Sequence, residues 1–201
     1  MSSEQNDTPT RILDATWRLM EQGRGKVVKM GDVAKAAGIS RQAVYLHFKS
    51  RTALMIATSH YVDDIKGLKN RLKELEQASD SVNLLEICIE VWGNYIPEIF
   101  GLAKALLATR ENDEATATVW QNNMASVKAV CQNVIEKLDQ ENRLADKWSI
   151  EEATDIFYTM ISINNWEQFT AECGWSNEQY IERMKIILNQ TLVKPSASIE
   201  T

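Results

Sequence analysis

The stretch Met30-Gly-Asp-Val33-Ala-Lys-Ala-Ala-Gly38-Ile-Ser40-Arg-Gln-Ala-Val44-Tyr-Leu-His-Phe48 decides the fold. Val33, Ala34 and Ala37 fall on one face of a short helix. Gly38 ends that helix, and Ile39 fills the corner. Ser40 is placed to cap a second helix in which Val44 and Phe48 point inward. Two short helices joined by a glycine-containing turn make a helix-turn-helix, whose second helix fits the major groove of DNA. That helix exposes Arg41, Gln42, Tyr45, His47 and, just beyond it, Lys49. These groups can donate to phosphates and base edges.

The rest of the chain frames this unit. Its 201 residues suffice for one or two small domains with a real core. The prolines number only three, and apolar residues recur at helical spacing, which predicts an all-α protein of about nine helices. The net charge is −6, which looks wrong for a DNA binder until it is divided. Residues 1–60 hold nine Lys/Arg against five Asp/Glu; residues 61–201 hold thirteen against twenty-three. A basic head on an acidic body focuses attraction for a polyanion on one end.

Several classes of function are disfavoured. Cys88, Cys131 and Cys173 are far apart and odd in number, a poor disulfide or metal framework. They read as free thiols in a reducing cytosol. No signal-peptide pattern opens the chain, and no apolar run approaches the roughly 20 residues that span a bilayer. The expectation is a cytoplasmic protein without membrane, metal or cofactor. The two histidines, His47 and His60, both lie by the helix-turn-helix, and no phosphate loop or nucleophile elbow appears. Catalysis is therefore not expected.

Along the chain, residues 1–7 and the tail after Pro195 predict no ordered element. Thr8-Pro9 reads as the cap and first turn of a helix ending near Gly23. Arg24-Gly-Lys26 forms a basic link, and Val27-Val28 enters the small core. Ser50 caps a long fourth helix over 51–77, with Leu54, Ile56, Ala57, Tyr61, Ile65, Leu68, Leu72 and Leu75 inward. A helix over 82–95 follows, then one from Pro97 to about 109, and another over 114–140. Ser149-Ile-Glu-Glu152 and Ser176-Asn-Glu-Gln179 have capping-box spacing and open helices over 150–173 and 177–193.

The N-terminal pattern closely resembles the DNA-binding domain of the TetR family of bacterial transcriptional regulators. The residues that carry the likeness are Arg11-Ile-Leu-Asp-Ala15, Asp32-Val-Ala-Lys-Ala-Ala-Gly-Ile-Ser40 and Val44-Tyr-Leu-His-Phe-Lys-Ser50. The resemblance implies a DNA-binding domain over 1–50, with its motif at about 31–50. It also implies a helical domain over 51–201 that dimerises and binds a small-molecule effector. Three positions depart from the family pattern. Val28-Lys29 stand where Ser or Thr often caps the second helix. Gln42 replaces a small residue and can bond adenine in a bidentate way. Arg51-Thr-Ala-Leu54 replaces a Lys-acid pair.

The expected roles follow. Arg41 and Gln42, in the first turn of the recognition helix, read bases; Tyr45, His47 and Lys49 grip the backbone, and Lys26 and Lys29 are further phosphate contacts. A homodimer spaces two such helices roughly 34–36 Å apart, so the operator is a near-palindromic double-stranded DNA. Trp92, Tyr95, Phe100, Trp120, Asn123, Met124, Tyr158 and Asn165 are the candidate lining of an effector pocket for an apolar or aromatic molecule. Ile156, Met160, Ile163 and Trp166, with Tyr180, Met184, Ile187, Leu188 and Thr191, are the candidate dimer interface. Repression is the family's commoner mode. The alternatives are an activator, or an adaptor of the same fold that binds a protein.

Overall fold

Local capping rules place most helix starts. In the computed structural model, which describes residues 7–23 and 26–195, serine hydroxyls accept the third amide of five helices, Ser162 among them. Ser40 accepts from Ala43 at 3.1 Å, Ser50 from Ala53 at 3.0 Å, Ser149 from Glu152 at 3.2 Å and Ser176 from Gln179 at 3.1 Å. At Ser149 the box is reciprocal, because Glu152 accepts the Ser149 amide. Residues 1–6, the Arg24-Gly25 part of the basic link and the tail from 196 lie outside the described residues.

The α-helices are α1 (Thr8–Gln22), α2 (Met30–Ala37), α3 (Arg41–His47), α4 (Arg51–Ile65) and α5 (Leu68–Leu72). They continue with α6 (Ser81–Thr109), α7 (Glu114–Gln140), α8 (Ile150–Met160), α9 (Ile163–Glu167) and α10 (Asn177–Leu192). A 3₁₀ turn, Lys73–Gln77, follows α5, and a π turn, Gln168–Glu172, follows α9. The described residues contain no strand, only an isolated bridge between Leu144 and Val193. No helix among them is long and apolar enough to cross a membrane.

The chain divides into two compact units. The first joins residues 1–67 to Ile99–Asn123; the second joins Leu68–Glu98 to residues 124–201. In the first, α1, α2, α3 and α4 close around Ile12, Val33, Val44, Leu54 and Val62, with Leu102, Leu106 and Val119 from α6 and α7. In the second, Leu85, Ile89, Ile135, Leu138, Phe157, Tyr180, Met184 and Leu188 are almost fully buried.

Several expected boundaries move. Asp7, not Thr8, caps α1, accepting from the Thr10 amide at 3.1 Å. Val28 is buried as expected, but Val27 is exposed. The long helix expected over 51–77 stops at Ile65, because Gly67 adopts φ 68°. That is a left-handed stop, which a glycine accepts without strain. Ile65, expected inward, is exposed, and the buried stripe of α4 runs instead through Leu54, Met55, Thr58, Ser59 and Val62. The hydroxyls of this stripe are satisfied, as buried polar groups must be. Thr58 donates to the Leu54 carbonyl at 2.8 Å, and Ser59 accepts from Asn123 at 2.9 Å.

Pro97 does not break the chain into two helices. It sits inside the continuous α6, where a proline forfeits the bond to the carbonyl four residues back and crowds that carbonyl with its ring. Tyr95 and Ile96, both buried, hold that turn in place. Four residues earlier, a Cβ on Gly93 would come within 2.5 Å of the Ile181 side chain, so any larger residue there would force Ile181 of α10 to shift. The helix expected over 150–173 is divided at Ile161. Ser162 caps α9, and the freed Ile161 carbonyl accepts the Trp92 indole N–H at 2.8 Å.

Candidate functional site

The basic head is built around the α2–α3 corner. Gly38 caps α2 in the left-handed region at φ 69°, and the Ile39 amide reaches back to the Ala34 carbonyl at 3.0 Å. This is the usual way for a glycine to end a helix. Arg11 of α1 donates to the Ala37 carbonyl at 2.6 Å, placing a cation at the negative end of α2. Val44, with no exposed surface, turns one side of α3 into the core. The opposite side of α3 is left to solvent.

All seven expected DNA contacts, Lys26, Lys29, Arg41, Gln42, Tyr45, His47 and Lys49, are exposed and lie in the first unit. Arg41 leans on Tyr45 one turn later, 5.7 Å from the ring centroid and 3.5 Å from its hydroxyl. The pair limits the freedom of the guanidinium before anything binds it. Between residues 26 and 51 the sequence carries six Lys/Arg and a single acid, Asp32. As the unusual Val28-Lys29 pair suggests, Lys29 precedes α2 without a side-chain cap.

One feature of the head has no local signature. Arg51, the first residue of α4, donates its Nε to the Val28 carbonyl at 2.6 Å. Its two terminal nitrogens grip Asp113 at 2.5 and 2.7 Å, and the two side chains are 22% and 11% exposed. A bidentate pair of this kind is among the stronger hydrogen-bonded contacts. Asp113 also caps α7, accepting the Thr116 amide at 3.0 Å and the Thr116 hydroxyl. The Arg51 guanidinium is the main reason that its carboxyl is held down to about 2, against burial. Arg51 thus fastens the loop before α2 and the start of α7 to the residue that follows Lys49-Ser50. An aspartate before Glu114 signals a cap in the sequence, but nothing local pairs it with Arg51.

A cavity of about 80 Å³ opens in the second unit. Leu68, Leu72 and Leu75 form one wall, Cys88, Val91 and Trp92 of α6 another, and Ser126, Val127, Val130 and Cys131 of α7 a third; Ile161 closes it. Its surface is almost wholly apolar, and the one indole donor is spent on Ile161. Burial pushes the Cys88 thiol up to about 12 and raises Cys131 as well. Both therefore stay protonated and unreactive near neutrality.

Of the eight expected pocket residues, Trp92 alone is in this lining. Phe100, Trp120 and Asn123 belong to the first unit. Phe100 lies under Lys104 at 5.9 Å, Trp120 under Arg110 at 5.4 Å, and Asn123 serves Ser59. Tyr95 is buried beside Trp92, their centroids 5.8 Å apart. Tyr158 packs on the second core, Asn165 donates to the Thr159 carbonyl at 2.7 Å, and Met124 is half-buried outside the lining. The wall is largely aliphatic, and its leucines and valines look like ordinary core in a sequence.

The nine expected interface residues separate into two sets. Tyr180, Met184 and Leu188 are spent on the chain's own core, and Ile163 is buried as well, so none of the four offers a partner a surface. Ile156, Met160, Trp166, Ile187 and Thr191 stay half-buried, beside exposed Ile186.

The profile of bacterial regulatory proteins of the tetR family matches residues 12–58, the span from α1 into α4 that holds this corner. Over this span the chain carries a TetR-family DNA-binding head. The TetR-family head is 41% identical over 51 residues to the HTH-type transcriptional regulator AcrR of Shigella flexneri; the match covers 25% of this chain and 24% of that protein. A longer match, 24% identical over 109 residues, covers 54% of this chain and 54% of the nucleoid occlusion factor SlmA of a Marinomonas species. The matched stretches thus span about half or less of these relatives' length. Among solved structures, a putative transcriptional regulator from Saccharomonospora viridis in complex with choline superposes with TM-score 0.74 at 14% identity, covering 95% of this chain and 100% of that one. FadR from Bacillus subtilis in complex with stearoyl-CoA gives 0.70 at 13% identity, covering 89% and 96%. At such identities these two likenesses establish a shared all-helical fold over nearly the whole chain and nothing finer.

Proposed function

We propose that this protein is a sequence-specific DNA-binding transcriptional regulator of the repressor type, released from its operator by a small, uncharged apolar or aromatic effector. The observation that carries the DNA reading is α3, which turns Val44 into the core and presents Arg41, Gln42 and Tyr45 outward on a strongly basic head. Arg41 and Gln42 read base edges; Tyr45, His47, Lys49, Lys26 and Lys29 hold phosphates. One short helix offers too little surface for tight binding, so the active species is a homodimer on a near-palindromic site. Ile156, Met160, Trp166, Ile187 and Thr191 supply its contacts, and the protein works in the cytoplasm.

The effector reading rests on the cavity behind Trp92, whose volume is about 80 Å³. Ordinary ligand sites enclose several times more, roughly 300 Å³ at the least, so an occupant must displace a wall. Leu68, Leu72 and Leu75 sit on a short helix and a 3₁₀ turn with no fully buried residue, which makes theirs the wall that yields. A lining without charge favours an uncharged occupant.

The test is selection of bound sequences from a random duplex pool by the purified protein, then a compound screen for release of the selected duplex. Enrichment of a twofold-symmetric sequence and its release by apolar compounds are expected. No enrichment at low salt refutes the DNA reading, and equal affinity with and without saturating compounds refutes the effector reading.

A further inference from the structure

The recognition helix carries an apolar side chain that the DNA reading leaves unused. Leu46 is 85% exposed, by a wide margin the most exposed large hydrophobic residue described. Tyr45 and Ile65, also exposed, reach only 41% and 52%. Leaving a leucine in water forgoes the gain from burying it, so a position like this is informative when it falls on a binding face.

Its direction follows from the helix itself. Val44 points into the core, and two residues at about 100° each carry Leu46 about 200° round, to the side facing away from the protein. Gln42 lies one turn earlier on the same stripe, and both are exposed. The stripe is flanked by Arg41 and Tyr45, and Lys26, Lys29 and Lys49 make the surrounding surface basic. Charge therefore selects a polyanion as the occupant of this face, and a duplex groove offers one apolar feature to match Leu46, the C5-methyl of thymine.

We infer that Leu46 is a specificity-determining residue that packs on a thymine methyl in the major groove, beside the base pair read by Gln42. The amide and the isobutyl group together favour an A·T-containing step: Gln42 bonds adenine N6 and N7, and Leu46 covers a methyl that cytosine and uracil lack. This assignment rests on the DNA-binding reading above.

Removal of a methyl group alone tests it. A duplex selected from a random pool is resynthesised with each thymine in turn replaced by deoxyuridine, and bound by the wild-type protein, Leu46→Ala and Leu46→Met at fixed salt. For the wild type, at least one replacement is expected to weaken binding about fourfold, the value of one buried methyl. Leu46→Ala loses that difference and binds the thymine and uracil duplexes alike, while Leu46→Met keeps it. The melting temperature of both variants stays at the wild-type value, since the side chain touches little of the fold. A wild type indifferent to every methyl, or a Leu46→Ala variant that keeps the full thymine preference, overturns the assignment while sequence-specific binding stands. A pool that yields no enriched duplex overturns the DNA reading and this assignment with it.

Discussion

Replacing Asp113 by asparagine separates two jobs that one carboxylate performs. Asparagine caps a helix about as well as aspartate, so the Thr116 amide keeps its acceptor. The charge that grips Arg51 is gone. Asp113 is 11% exposed, and its carboxyl is held at about 2 rather than the ordinary 3.8. That difference is worth about 2 kcal/mol in favour of the folded state. Because the folded value is the lower one, this contribution is complete above about pH 5 and is lost as the pH falls through about 2, with roughly half of it remaining at about pH 3. Amide exchange, read segment by segment, reports the local effect without requiring the two units to melt together. At pH 7, Asp113→Asn is expected to speed exchange of the Val28–Val33 segment and the start of α4 by about thirtyfold, the equivalent of about 2 kcal/mol. Near pH 3 the gap between variant and wild type shrinks to about sixfold. Asp113→Ala, which also removes the cap, is expected to lose about 1 kcal/mol more. An asparagine variant that exchanges like the wild type at pH 7, or one whose deficit does not shrink on acidification, refutes the clamp as an energetic element.

Other expectations can be checked independently. The double variant Arg41→Ala with Gln42→Ala should lose most of its preference for selected over scrambled duplexes in a gel shift, keeping no more than the about fourfold share assigned to Leu46, while its sedimentation matches the wild type. Lys49→Ala should weaken binding to all duplexes alike and make the slope of log affinity against log salt shallower by about 1. Gly38 sits at φ 69° with no neighbour within 3.8 Å of an added Cβ. Gly38→Ala should therefore lower the stability of the head by about 1 kcal/mol through backbone strain alone; a urea melt on which it has no effect would contradict this. Arg71 ties the Leu68–Gln77 wall to Glu98 and lies 5.6 Å from the Tyr95 ring. Arg71→Gln should loosen that wall and admit an apolar fluorescent dye to the cavity several-fold faster in stopped flow.

Much of the head is legible because its rules are local. Ser40 and Ser50 cap, Gly38 turns left-handed, and Val33, Ala34 and Ala37 fall on one face of a single helix. The same rules misjudge elements whose outcome depends on distant partners. Pro97 reads as a boundary, yet the loss of one hydrogen bond is outweighed when Tyr95 and Ile96 are buried around it. Ile65 reads as core, but Gly67 ends the helix before it gains a neighbour to cover it. The break at Ile161 depends on Trp92, sixty-nine residues earlier in the chain. Arg51 and Asp113 are sixty-two residues apart, and neither is unusual by itself. Aromatics announce themselves in a sequence and draw the search for a cavity towards them. The walls are instead mostly leucines, valines and two thiols, and whether such residues meet edge to edge or around a void is set by backbone spacing that composition does not encode.

The bond from the Trp92 indole to the Ile161 carbonyl gives the cavity a built-in optical gauge. An indole fixed by its N–H at the rim of an apolar cavity has a constant polar partner on one side and a variable one on the other. Any molecule that enters alters only the second, so emission from this side chain, isolated by replacing the other tryptophans with phenylalanine, would register occupancy directly, without a label and without DNA present.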